Sequence, residues 1–334
     1  MTDAAFAAAP AGRRRWGTAA WIVAGSLTLV GALVLGSMIG PAGRVSAANW
    51  DIVWNIRLPR VALAALVGAM LSVAGASYQG VFRNPLVDPY LLGVAAGAGL
   101  GATFVFAWGR QASTAWLVDP LPLVAFVMAL VAVAATYLTG AAFGAVRNGV
   151  TLVLAGVAVT ALATAIQAFV LQKHTDVIKE VYSWILGRFT GSTWADVRLV
   201  LPYIAVATAV LIAHRRHLDV LRVGDDEAAA LGTDVRRLRL IVVIAATLGT
   251  AAAVSVSGLI AFVGIVVPHF IRLVAGASYR RLLPLSVLFG AAFMIVCDLI
   301  GRVAQAPAET PIGVVTAFIG APFFIVVLRR RASQ

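Results

Sequence analysis

Cysteine occurs once in this 334-residue chain, at Cys297, and lysine only twice. One thiol cannot close an internal disulfide or make a CxxC metal or redox site. Charge is scarce as well: 12% of residues are Asp, Glu, Lys or Arg, against 61% hydrophobic, with a mean hydropathy of +0.95. That balance excludes a soluble domain with one anchor and fits a polytopic membrane protein. No GxxxxGK[ST] and no Gly-Lys pair is present, so the chain has no P-loop; HExxH is absent too. The four histidines form no ligand cluster, and His214 and His217 read as a basic patch at a membrane edge. Asp225-Asp226 has the look of a magnesium-binding pair in a membrane prenyltransferase, but no second acidic cluster accompanies it. Enzyme chemistry finds no support.

What is present is a series of apolar runs of the length that crosses a bilayer. They lie near 16–38, 60–80, 91–108, 117–139, 150–171, 197–213, 238–256, 259–274, 282–303 and 311–328. Arg13–Arg15 before the first run could introduce a signal peptide, with Val45–Ala47 as cleavage site. The run is too long for a signal core, so a retained first helix is expected. No charge separates Leu240 from Ile271, and as one helix that stretch would be about 48 Å long, beyond a 30 Å core. Ser255–Gly258 is the expected turn, with Pro268 ending or kinking the next helix. The count is therefore ten spans, nine or eleven being the neighbouring alternatives, in one transmembrane domain over 16–334 behind a tail at 1–15. With both termini inside, inner loops and tails hold 17 of the 26 basic residues. The formal charge of +12 then reflects topology and not nucleic-acid binding.

Four places carry more polarity than connections need. Gln79–Gly93 (QGVFRNPLVDPYLLG) has two prolines, which break helix and free backbone groups; it is either a loop at the membrane face or the lining of a pathway. The outer stretch 172–196 has apolar residues at helical spacing, predicting a short surface helix. In the inner loop Arg215–Arg239, Asp225 or Asp226 can cap an alanine-rich helix, and Gly232 suits its left-handed end. Thr233 or Asp234 can cap a second short helix with Arg236, Arg237 and Arg239. Such a knob is either a solvated loop or a partner contact. Finally, Arg57 and Arg60 flank Pro59 at the start of the second span, where cations oppose the helix dipole. An anionic partner or lipid phosphate would explain them. Asp298 stands four residues before Arg302, so an internal pair is the alternative.

Taken together these residues resemble the FecCD family of permeases, the membrane subunits of binding-protein-dependent ABC importers for iron–siderophores, haem and vitamin B12. The matching pieces are RLPR at 57–60, FRNPLVDPYLLGV at 82–94, WxxG at 184–187, EAAALGTDVRRLRL at 227–240, GLIAFVGIVVPHFIRL at 258–273 and AETPIGVVTAFIGAPFF at 308–324. They run in order along nearly the whole chain.

The resemblance implies an all-α fold of about ten transmembrane helices in a bacterial inner membrane. It implies a homodimer with two separate ATPase subunits, which bind the ATP and magnesium, and no cofactor on this chain. A periplasmic or lipid-anchored binding protein would dock at Arg57, Arg60 and Arg302. Asn84 and Leu86 would close the cytoplasmic gate beside the loop Arg147–Thr151, with the fifth and tenth spans lining the path. Coupling helices at about 224–238 would offer Asp225, Asp226, Glu227, Leu231, Gly232, Thr233, Asp234 and Arg236 to the ATPase. Arg188 after the WxxG turn departs from the family's usual small residue; it either meets an anionic solute or pairs with Asp196 or lipid. The expected solute is haem or a ferric siderophore, with cobalamin as alternative. An ion-coupled secondary transporter is the reading from another class.

Overall fold

The computed structural model describes residues 17–40, 43–44, 50–109, 119–142 and 149–332, with backbone alone at 43–44, 149–150, 328 and 330–332. The tail arginines Arg13–Arg15, Val45–Ala47 and Arg147 lie outside the described residues.

Helix follows helix. α1 (Thr18–Met38) ends in a two-residue antiparallel ladder of β1 (Ile39–Gly40) and β2 (Gly43–Arg44). A helical lead-in from Trp50, with a π turn over Val53–Arg57, runs into α2 (Leu58–Val81). Next come α3 (Val94–Phe104), α4 (Pro120–Ala142), α5 (Gly149–Lys173), the short α6 (Ile178–Ile185) and α7 (Trp194–Ala213). Two short helices, α8 (Arg215–Val220) and α9 (Asp225–Ala230), precede α10 (Val235–Ser257), α11 (Val263–Ala275), α12 (Tyr279–Val303) and α13 (Ile312–Ala332). Each of the ten expected spans holds one of these helices. Among the described residues seven are long and apolar enough to cross a membrane, and Val94–Gly109, Val263–Ala275 and Ile312–Val327 are shorter apolar helices.

α2 is the centre of the molecule, because small residues let its neighbours approach on all sides. A methyl group at Gly68 would collide with the carbonyl of Gly290 on α12, and one at Gly75 with the backbone of Gly264 on α11. α1 packs on the outside of α12, with Leu27, Val30 and Val34 exposed on its far side. In lipid that exposed apolar surface is the ordinary solvent-facing one.

Three expectations need correction. The eighth span is not helical from 259: α10 ends at Ser257, the chain stays irregular through Phe262, and α11 begins only at Val263. Gly258 (φ 69°) and Phe262 (φ 70°) bracket the break, and Trp184's carbonyl lies where a Gly258 side chain would stand. Pro268 sits inside α11 and does not end it. At the inner surface, the second short helix is α8, not a piece carrying Arg236 to Arg239. Those arginines belong to the first turns of α10, a 23-residue helix that Asp234 caps by accepting from Arg237 N at 3.0 Å. Nor do Asp225 and Asp226 cap α9: Gly224 (φ 138°) holds that position and both acids lie in the first turn, where the helix dipole favours them. Gly232 takes the left-handed conformation (φ 82°) that its place after α9 suggests.

Candidate functional site: outer knot, apolar cavity and inner knob

At one end of the bundle the three arginines Arg57, Arg60 and Arg302 meet. They do so in the interior. Arg57 is 7% exposed and Arg302 2%. α1 ends without a basic residue in its last turn, so its terminal carbonyls lack a local cation. Arg57 Nη1 donates to Met38 O at 2.9 Å and Ser37 O at 3.4 Å; Arg302 donates to Gly36 O at 3.0 Å and Ile39 O at 3.2 Å. Arg57 and Arg302 thereby complete the C-terminus of α1, where positive charge is favourable. Arg60 grips Asp298 with Nε and Nη2 at 2.8–3.2 Å and reaches Glu309 with Nη1 at 2.8 Å. Arg302 Nε lies 3.0 Å from Asp298 Oδ2, an oxygen it shares with Arg60 Nε, which makes the internal i,i+4 pair weighed from the sequence.

Glu309, which nothing in the sequence singled out, also accepts from Thr190 Oγ1 at 2.6 Å. Burial pushes its carboxyl up, but the hydrogen bonds from Arg60 and Thr190 outweigh this and hold it below its ordinary value. Beside the knot a cavity of about 190 Å³ is lined by Arg60, Ser183, Arg188, Thr190, Asp298 and Glu309 among others. Arg188 is exposed at its edge. The anticipated pair with Asp196 does not form, because Asp196 closes a capping box with Thr193.

Deeper, the two irregular stretches of backbone satisfy one another. Gln79 Nε2 donates to Val87 O at 3.2 Å and to Gly264 O at 2.9 Å. Tyr90 Oη donates to Ile260 O and accepts from Ile260 N, both at 3.0 Å. The proline-broken stretch after α2 is thus stapled to the break between α10 and α11, as backbone away from water requires. On the far side, the WxxG turn presents the Leu186 and Gly187 carbonyls to Gly313 N at 2.9 Å and Ile312 N at 3.2 Å, the open N-terminus of α13. These junctions frame an apolar cavity of about 720 Å³, lined by Tyr90, Ile185, Leu186, Leu259, Val314 and Phe318 with smaller neighbours. Among the described residues Tyr90 is the one polar side chain in that lining, and Ile260 occupies its hydroxyl. No described residue of α5, the fifth span, takes part.

The same broken stretch reaches the opposite end of the bundle. Asn84 is exposed and its Oδ1 accepts from Leu86 N at 3.0 Å, a tight turn that leaves Leu86 half-buried. Next to it Arg83, at φ 48°, lies 3.7 Å from Asp225 on α9, and Asp225 also pairs with Arg239 of α10 at 3.1 Å. Asp226, Glu227, Gly232 and Arg236 are exposed, Leu231 to 71%, and Thr233 is half-buried. The knob therefore presents an acidic helix start, a bare leucine and a basic helix start side by side. Asp219, also unforeseen, accepts from Ser278 Oγ, Tyr279 N and Arg280 N at the start of α12.

The chain is similar to known proteins along most of its length. The model of the FecCD transport family matches residues 17–330. The chain is 43% identical to the cobalamin import system permease protein BtuC of Halobacterium salinarum, over 84% of its own length and 74% of that protein. It is 41% identical to an uncharacterized ABC transporter permease protein, YvrB, of Bacillus subtilis over 87% of this chain and 82% of that one. With the hemin transport system permease protein HmuU of Yersinia pestis it shares 36% identity over 86% of each. Among solved structures, an inward-facing conformation described as a metal-chelate type ABC transporter superposes with a TM-score of 0.84 at 28% identity, covering 92% of this chain and 98% of that one.

Proposed function

The chain belongs to the FecCD transport family, a multi-pass membrane permease of the bacterial ABC-importer type, and from that premise we propose the importer it serves. It moves an iron chelate, haem or a ferric siderophore, inward. The observation that carries this reading is the apolar cavity between two mutually stapled helix breaks. A passage with so few polar groups holds no small ion; it suits a bulky chelate that another protein has already captured. Cobalamin is the second reading, favoured by the 43% identity with BtuC.

Two copies of the chain flank the path in this proposal, with two separate ATPases beneath, which bind ATP and magnesium; this chain brings no cofactor of its own. The exposed residues of the knob, Asp226, Glu227, Leu231 and Arg236, meet the ATPase together with Asp225, Gly232, Thr233 and Asp234. Asn84 and Leu86 form the inner gate. Nucleotide-driven approach of the ATPases moves the knob as a rigid body, and Arg83 beside Asp225 lies where that motion reaches the gate. Arg57 and Arg302 shape the outer rim from within. Arg60, with Arg188 at the cavity edge, offers the charge that a carboxylate of the binding protein or of the solute would meet. Docking through Arg60 requires that acid to compete with Glu309.

Reversing Arg57 and Arg60 together would break the knot and could not isolate docking. Arg188→Glu is the cleaner test. It is expected to lower uptake several-fold with the complex intact, and unchanged uptake would remove Arg188 from the site. To decide the solute, the cognate binding protein is titrated with hemin, ferric siderophores and cobalamin. Tight binding of an iron chelate is expected, and selective cobalamin binding would install the second reading.

A further inference from the structure

We propose that Asp219 is a positioning residue that fastens α8 to α12, so that movement of the inner knob is carried across the membrane to the outer knot. This rests on the transport assembly proposed above. Ser278 stands at the N-cap of α12, a position where a serine ordinarily accepts from its own helix, yet its side chain makes no such bond. Its hydroxyl instead donates to Asp219 Oδ2 at 2.7 Å. Tyr279 N donates to Oδ1 at 2.7 Å and Arg280 N to Oδ2 at 3.3 Å. The cap of α12 therefore comes from another helix, about sixty residues earlier.

Pro284 strengthens the dependence. It has no N–H for the carbonyl of Arg280, so the first turn of α12 is tied less firmly to the rest of its own helix. Around the clamp, Arg222 lies 3.8 Å from Asp219 and donates to Ala277 O at 3.3 Å, while Leu218 is fully buried where Gly80 of α2 meets Tyr279. Near its other end α12 carries Asp298 and Arg302, the two residues on which the knot with α1 and Arg60 is built. A 25-residue helix is about 37 Å long, enough to join the two surfaces without a break. α12 is thus held by polar clamps at both ends, one to the knob and one to the docking side.

The test uses the assembled complex of permease, ATPases and binding protein in lipid nanodiscs and proteoliposomes. Asp219→Ala is expected to leave assembly and basal ATP hydrolysis within about twofold. Stimulation by the loaded binding protein, and solute moved per ATP, should fall at least fivefold. Stimulation and transport ratio equal to the native complex would overturn the proposal. Should Asp219→Ala not assemble, the pair Asp219→Cys and Ser278→Cys, made together in a Cys297→Ala background and joined by a short bis-methanethiosulfonate reagent, which forms a disulfide with each thiol and releases methanesulfinate, decides it. Bodies that move as one should keep transporting when linked, and loss of transport on linking, reversed by reduction, would show that α8 and α12 must separate. A native complex that neither transports nor responds to the binding protein would instead count against the proposed function.

Discussion

Asp298 has 2% of its surface exposed and stands between two guanidinium groups. Removing one member of such a group strands the others in a site they cannot leave, at a cost of about 3–5 kcal/mol. Asp298→Asn should therefore lower the thermal midpoint in detergent sharply. Asp298→Leu with Arg302→Met should cost less than the sum of the single changes, and strict additivity in that cycle would contradict the shared network. Glu309 gives the same cluster a pH dependence. Its folded value is lowered, so the stability it contributes is present above its ordinary value of 4.5 and is lost as pH falls through the lower folded value. Acid unfolding of the native chain should show that limb, and Glu309→Gln should lack it. An identical acid limb in both would refute the pairing.

At the scale of elements, the two helix breaks hold one another. Tyr90→Phe removes the partner of both the N–H and the C=O of Ile260, at about 1–3 kcal/mol for each buried group left unmet. Hydrogen exchange at 258–262 should rise in that variant while α2 and α12 stay protected; unchanged exchange would sink the staple. The breaks themselves are legible in the sequence, because proline and a length limit on helices are local facts: Pro85 and Pro89 mark one, and the overlong run from Leu240 the other. What they meet is not. Tyr90 and Ile260 lie 170 positions apart, and no local pattern distinguishes this tyrosine from any half-buried one. The arginines behave similarly. Their type and their unfavourable place at a helix start flag Arg57 and Arg60, yet their partners are carbonyls of α1 and the acids Asp298 and Glu309, which only packing brings near. The knob is half legible. Gly232 and Asp234 show where α9 stops and α10 starts, but a run of arginines does not reveal whether its helix is short or continues through the membrane.

At the scale of the whole molecule the arrangement is polar at both ends and apolar between, with one continuous helix, α12, touching both polar sites. In the transport assembly proposed above the energy comes from separate ATPases, in keeping with a sequence that has no P-loop and with an Asp298 carboxylate committed to two arginines. The direct test is uptake of a radioiron-labelled chelate into proteoliposomes, with permease, ATPase and binding protein each present or omitted. Uptake is predicted only when all three are present with ATP and magnesium, and to be indifferent to an imposed proton or sodium gradient. Gradient-driven uptake by the permease alone would contradict the account.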